Sequence, residues 1–406
     1  MRRRSLLTAA AALPLAIDAF GAVAAPAGGT RFLFVFLRGG YDAANIVVPT
    51  ASPLYYEVRP NLAIRRPGEG ADAALALDAD WSLHPALGET ILPLYRRGEA
   101  AFIAFAGPAD DLSRSHFETQ DTIELGQSPG PGRRLGSGFL NRLAATLSGA
   151  QPGSGPGGSS PSAIGFANEL PLSLRGDYPA VNVALRALGK PGVDARQSDI
   201  ITRMYTGTRL ASSVGEGFEV RDAVMRELAD EPDNAARGAT SSKGFEVEAQ
   251  RVGKLMRDRY TLGFIDVGGW DTHVGEGGAT GALATRIEEL GRGLNAFATT
   301  MGDAWRSTVV VVVSEFGRTF AENGNHGTDH GHGSAYWVLG GAVRGGRICG
   351  DQVRIDRTTL FQNRDLPVLN DVRAVLGGLF ARMYGLDRDA ISTVFPGAAP
   401  KDLGLI

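Results

Sequence analysis

Half of the chain's six histidines fall within seven positions, in the stretch SEFGRTFAENGNHGTDHGHG that runs from Ser314 to Gly333. Glu315, Arg318, Asp329, His330 and His332 place carboxylate, guanidinium and imidazole groups within about one loop. Carboxylate and imidazole without cysteine suit Zn²⁺, Mn²⁺, Fe or Mg²⁺, and the imidazoles argue against a purely Ca²⁺ or Mg²⁺ site. Three other short segments carry the same chemistry. RGGYD ends in Asp42, with a turn-capping aspartate as the plainer reading. GGWDTH holds Asp271 and His273 two residues apart, a spacing that puts both side chains on one side of an extended segment. SRSHFETQD holds Ser115 and His116.

Ser115 has two readings. With Glu118 three residues later it fits a capping box that opens a helix. A helix N-terminus also favours a bound phosphate or sulfate, and a serine there can act as a nucleophile with His116 beside it. Ser113 is a second candidate for the same role, and Arg114 or Arg318 is a planar donor fork for anionic oxygens.

The elements that must position these groups are apolar runs of strand length. Val309–Val313 precedes Glu315, RFLFVFL (31–37) precedes Asp42, AAFIAFA (100–106) precedes Ser115, and YTLGFIDV (260–267) precedes Asp271. Continuous β-branched and aromatic runs suit strands buried on both faces. Between them lie helical patterns, clearest at 282–304, where Leu283, Ile287, Leu290, Leu294 and Phe297 recur at helical spacing. Strand followed by helix, repeated, predicts an α/β fold: a doubly wound, largely parallel sheet with helices on both faces. In such sheets ligands sit outside the carboxyl ends of the strands, where all four motifs fall.

Composition narrows the class. The 406 residues are 43% hydrophobic and 21% charged, as in ordinary globular chains, and carry a formal charge of −3. That charge offers no basic field for nucleic acid. The single Cys349 excludes an intrachain disulfide and a cysteine-rich zinc site. At the start, MRRRSLLTAAAALPLAIDAFGAVAA has a basic head, a modest apolar run and an A-x-A exit at Ala22–Ala24, the pattern of a cleaved signal peptide. Arg3-Arg4-Ser5-Leu6-Leu7 looks like a twin-arginine export motif. The expectation is therefore a signal peptide over 1–24, handled by twin-arginine machinery. One exported domain follows over 25–406, with a helical insertion or cap around 163–259 and no stable membrane insertion after cleavage. QPGSGPGGSSPS (151–162) reads as a flexible connector.

The twin-arginine start, FLRGGYDAANIVVP, SRSHFETQD, GGWDTH, SEFGRT and GTDHGHG together resemble the exported bacterial proteins grouped as domain of unknown function 1501. That group is similar in turn to the alkaline phosphatase-like superfamily of phosphatases, sulfatases and phosphomutases. The resemblance implies that Asp42, Asp271, His273, Glu315 and His330 or His332 bind one or two divalent ions, with Zn or Mn expected. It implies Ser115 as the nucleophile. Phe316 departs from the pattern, since it stands where the superfamily has a histidine and cannot bind metal; His116 or Asp329 is the available replacement. The C-x-P-S-R pattern of formylglycine sulfatases is absent. The expected activity is metal-dependent hydrolysis of a small anionic phosphate or sulfate ester in the periplasm or outside the cell. The alternatives are a non-catalytic surface or assembly protein retaining the fold, and a metal-free Ser–His esterase, which lacks a G-x-S-x-G elbow.

Overall fold

The computed structural model describes residues 30–149, 162–185, 195–208 and 242–406, together with 211 and 214. The expected signal peptide (1–24) and nearly all of the connector (151–161) lie outside the described residues. No helix among the described residues is long and apolar enough to cross a membrane.

Twelve strands are described. In chain order the first six are β1 (Arg31–Arg38), β2 (Val47–Val48), β3 (Leu75–Ala76), β4 (Ser82–Leu83), β5 (Ala100–Gly107) and β6 (Ala163–Phe166). The remaining six are β7 (Ala180–Asn182), β8 (Leu262–Gly268), β9 (Thr308–Ser314), β10 (Ser334–Leu339), β11 (Ile348–Cys349) and β12 (Asn370–Asp371). Nine of them form one sheet in the order β11-β5-β10-β9-β1-β8-β6-β7, with β12 pairing β5 at its edge. β2, β4 and β3 form a small second sheet. All pairs in the large sheet are parallel except those made by β10, which runs antiparallel to both β5 and β9.

The alternation along β1 shows why the sheet is covered on both sides. Leu33, Val35 and Leu37 enter one apolar cluster with Leu283, Ile287, Leu290 and Leu294 of the helix Ala282–Met301. Phe32, Phe34 and Phe36 enter the other, with Phe139 and with Val375, Leu379 and Phe380 of the helix Val372–Tyr384. Val309–Val313 are each at most 1% exposed. Burying a side chain of that size contributes about 1.5–3 kcal/mol, so this run anchors the middle of the sheet.

Of the segment expected to form a cap, 163–182 joins the sheet, while 186–194 and nearly all of 209–241 lie outside the described residues. β6 pairs in parallel with β8, and β7 with β6, so 163–182 extends one edge. The helix Ser242–Asp258 places Ala249, Val252 and Leu255 in the same cluster as the helix Ala282–Met301. Short apolar runs such as AIGF (163–166) carry too little length to separate strand from insertion by pattern alone.

Register decides what reaches the rim. Leu37 of β1 lies opposite Val267 of β8 and Ser314 of β9, so the residues that follow leave the sheet along one line. Antiparallel β10 begins at the same edge, its Ser334 opposite Ala106 near the end of β5. Five segments are thereby delivered to one rim, and four of the chemical motifs belong to them. Gly39 and Gly40 make the close approach feasible. Both have positive φ, and a Cβ would stand 2.6 Å from the Asp271 nitrogen at Gly39 and 2.4 Å from the Phe316 ring at Gly40.

Candidate metal centre

Glu315 leaves β9 fully buried, and its Oε1 accepts three hydrogen bonds. They come from the Gly39 N–H (2.8 Å), Gln120 Nε2 (2.9 Å) and His116 Nδ1 (2.7 Å). Burial opposes ionisation of Glu315, but these donors outweigh it and hold the carboxyl below its ordinary range. His116 opens the helix His116–Leu125, and Gln120, one turn further on, faces the same way. The Glu315 bond raises the His116 pKa against the effect of burial.

Two other imidazoles are held in the same fashion. His330 Nδ1 lies 3.0 Å from the Arg114 carbonyl, and His273 Nδ1 lies 3.2 Å from Asp329 Oδ1. A carbonyl and an ionised carboxylate only accept, so in all three histidines Nδ1 carries the hydrogen and Nε2 presents a lone pair. Burial lowers the His330 pKa, which favours its neutral form.

Those lone pairs converge. His273 Nε2 is 3.0 Å from His330 Nε2 and 3.0 Å from Asp271 Oδ1. His330 Nε2 is 3.5 Å from Asp271 Oδ1, and His116 Nε2 is 3.6 Å from Asp271 Oδ2. Ligand atoms of His116, Asp271 and His330 all lie within 4.8 Å of one another. His116 Nε2 is buried with no hydrogen-bond partner. An ion bound at about 2.1 Å by tetrahedral ligands keeps them roughly 3.4 Å apart, close to the separations seen here. The 3.0 Å contact between His273 Nε2 and His330 Nε2 is satisfied either by a proton, as an N–H···N hydrogen bond, or by a cation between the two nitrogens. His116, Asp271 and His330 therefore fit a divalent ion such as Zn²⁺ or Mn²⁺, and His273 Nε2 adjoins that set through Asp271 and His330.

Asp271 is tuned for this place. Burial works against its charge, but a hydrogen bond and the positive charge of Arg318 prevail and hold its pKa low. Arg318 is itself fully buried. Its other N–H groups go to the carbonyls of Gly39, Gly40, Trp270 and Thr328, with His273 Nε2 at 3.4 Å. No donor is left to grip a substrate, so Arg318 ties the rim together and orients Asp271 instead. Arg114, the other proposed fork, is likewise committed to Asp365 and Gln362.

The surroundings of Asp42, His332, Glu315 and Asp329 give each a different place from the one expected. Asp42 is 1% exposed and binds Arg59 through both carboxylate oxygens, with Arg59 Nη2 to Asp42 Oδ1 at 3.0 Å and Nη1 to Oδ2 as a second contact. Burial opposes its charge and Arg59 overcomes that, so both Asp42 oxygens are committed to an ion pair. Glu276 stands near it, and burial together with the Asp42 charge pushes its pKa well up. His332 packs against Phe361 with the rings tilted and their centroids 4.8 Å apart, and burial, then the Arg114 charge, pull its pKa down to about 4. It stays outside the converging set. Glu315 and Asp329 lie behind the converging atoms as orienting acceptors, whereas His116, one of the two replacement ligands available for Phe316, has its Nε2 in the set. Phe316 forms a buried floor, its ring centroid 5.0 Å from His116 and 4.9 Å from His330.

Ser115 caps the helix only by position, since its hydroxyl makes no capping bond and its N–H goes to Ser113 Oγ. The expected capping box does not form. Ser113 is committed, donating to Asp111 Oδ1 at 2.6 Å. Ser115 is thus the serine with an uncommitted hydroxyl, flanked by Arg114, whose carbonyl holds His330, and by His116. Since His116 Nε2 has no partner, a Ser115–His116 pair is not made, which removes the geometric basis of a metal-free esterase. Arg114 adopts a left-handed conformation (φ 52°), aiming the two sides of this turn apart.

The family described as "Protein of unknown function (DUF1501)" matches residues 29–395. The chain belongs to that family. No curated protein matches it. Among solved structures, a 2-O GAG sulfatase is 11% identical with a TM-score of 0.39, covering 92% of this chain and 75% of that one. Ps i-CgsB in complex with k-i-k-neocarrahexaose is 8% identical with a TM-score of 0.36, covering 89% and 74%. The phosphonate monoester hydrolase of Agrobacterium radiobacter is 10% identical with a TM-score of 0.34, covering 91% and 78%.

Within this DUF1501 chain the residues hardest to find from sequence are those behind the ligands. Gln120 had a signal, since it lies four residues after His116 on one helix face. Arg59 and Glu276 had none, because an ion pair between 42 and 59 follows no spacing rule. The orienting role of Glu315 is testable directly. Glu315→Gln keeps an acceptor for His116 but removes the charge that makes it basic. Metal affinity should fall roughly 10–100-fold in chelator competition; unchanged affinity would place Glu315 outside the centre's support.

Proposed function

We propose that this protein is an exported, metal-dependent hydrolase of phosphate or sulfate esters. One observation carries the reading: three imidazoles with Nδ1 already committed turn Nε2 toward the Asp271 carboxylate, next to a serine with an uncommitted hydroxyl at a helix N-terminus. His116, Asp271, His273 and His330 would hold the ion. When bound, it supplies Lewis acidity toward an ester oxygen.

The chain's own residues do the rest. Ser115 Oγ is the nucleophile, presented on a turn fixed by the Arg114 backbone. The unpaired N–H groups in the first turn of the ten-residue helix His116–Leu125 favour the anionic group of the ester. Phe316 excludes water from beneath His116 and His330. Arg318 keeps Asp271 ionised. Export rests on the leader pattern of residues 1–24.

Ser115→Ala separates this reading from a metal-binding surface protein. Hydrolysis of aryl phosphates or sulfates should fall on the order of 10³-fold or more, with the bound metal retained. Assays with Zn²⁺ and Mn²⁺ across phosphomonoesters, phosphodiesters and sulfate esters supply the readout. Turnover that survives the substitution would exclude Ser115, and an absence of turnover on every ester would favour the surface protein.

A further inference from the structure

A cavity of about 240 Å³ opens beside the metal centre and shares Asp329 with it. It lies below the ~300–1,000 Å³ typical of pockets for drug-sized ligands, so it suits one small ring. At ~30 Å³ per water it would hold about eight waters. Two metal ligands are tied to its walls. Asp329 holds His273 through Oδ1, and Arg364 Nη2 donates to the His330 carbonyl at 2.8 Å.

The lining mixes donors and acceptors with no excess of either charge. Arg364 and Arg357 bring guanidinium N–H groups, the latter already giving Nη2 to Glu57 outside the cavity, Asp329 brings a carboxylate, and Asn363 brings an amide that both donates and accepts. Leu54 and Leu360 supply an apolar floor. Two arginines alone would call for an anion. Set against Asp329 and Glu322 in the same walls, they call for neutral groups that accept and donate at once, and hydroxyls are such groups.

The turn that carries Asn363 is unusual. Gln362 and Asn363 are consecutive non-glycine residues in the left-handed region, with φ of 53° and 55°. Gln362 accepts from Arg114 Nη2 at 2.7 Å, so this turn is braced against the residue that precedes Ser115. Strained backbone of this kind persists where the surroundings over-determine it, often at ligand sites.

Resting on the ester-hydrolase reading above, we propose that this cavity seats the alcohol half of the ester, and that this half is a neutral polyhydroxylated ring. Ring hydroxyls bond to Asn363, Arg357 and the free oxygen of Asp329, while the C–H face packs on Leu54 and Leu360.

The test uses esters matched in charge and ring size. α-D-Glucose 1-phosphate, α-D-galactose 1-phosphate and myo-inositol monophosphate are compared with cyclohexyl phosphate, and the matching sulfates likewise. The best polyol ester should exceed the cyclohexyl ester at least tenfold in kcat/KM. That ratio should fall to about one in Arg357→Ala and in Asn363→Gly, the glycine preserving the left-handed turn. A cyclohexyl ester hydrolysed as well as every polyol ester overturns the proposal and leaves the hydrolase reading intact. If no ester reacts, the hydrolase reading fails, and the cavity is read by saturation-transfer NMR with the free sugars and inositol. A signal in the native protein that is lost in the two variants supports the seat, and no signal from any of them overturns it.

Discussion

Asp271→Ala is expected to give a folded protein that no longer retains a divalent ion through dialysis. Asp271 is the one carboxylate within reach of all three Nε2 atoms, at 3.0, 3.5 and 3.6 Å. Removing it leaves the three imidazoles without the carboxylate that their Nε2 atoms approach. Loss of an orienting partner alone costs metal sites 10–100-fold, so loss of a ligand should cost at least about 100-fold. Arg318 loses one acceptor but keeps the carbonyls of Gly39, Gly40, Trp270 and Thr328, which is why the rim should stay folded. Metal analysis after dialysis, beside circular dichroism, reads both parts. His332→Ala is the control: packed against Phe361 away from the centre, His332 should be dispensable for metal. A folded Asp271→Ala protein with native metal content would refute the assignment.

The second large effect lies beneath the site. Arg59 is fully buried and serves Asp42, Asn45 and the carbonyls of Thr319 and Phe320. Arg59→Met strands the Asp42 charge in the interior, next to Glu276. Breaking a buried pair in this way destabilises by about 3–5 kcal/mol, visible as a lower urea midpoint. Adding Asp42→Asn removes the stranded charge and should recover most of the loss, because the cost lies in the orphan more than in the pair. Asp42→Asn alone should keep native metal content if it folds. If that folded variant loses the ion, Asp42 is a ligand after all.

What the sequence could and could not convey follows from the kind of signal each feature leaves. The strands were legible because buried parallel strands require continuous apolar runs, and Val309–Val313 and RFLFVFL are unmistakable ones. The rim was legible too, since each run stops abruptly at glycine, serine or a charged residue. The division of labour among the polar groups was not. Whether Glu315 or His116 faces the ion depends on side-chain direction across two elements, and nothing in the spacing of either segment records it. Asp42 was misread for the same reason. It sits at the end of β1, as a ligand would, but Arg59, only 17 residues on, reaches back and takes both of its oxygens. Arg318 looked like a substrate fork until its carbonyl partners were visible. The edge strands β6 and β7 leave only short strand-like runs of four and three residues, too short to place them in the sheet by pattern alone.

The most direct test of the metal centre is X-ray absorption at the zinc edge on protein loaded with one equivalent of Zn²⁺. The account predicts a first shell of nitrogen and oxygen at about 2.0–2.1 Å, with the multiple-scattering pattern of three imidazoles. That pattern should lose one imidazole in His116→Ala. A protein that takes up no zinc, or whose zinc shows a shell without imidazole, would contradict it.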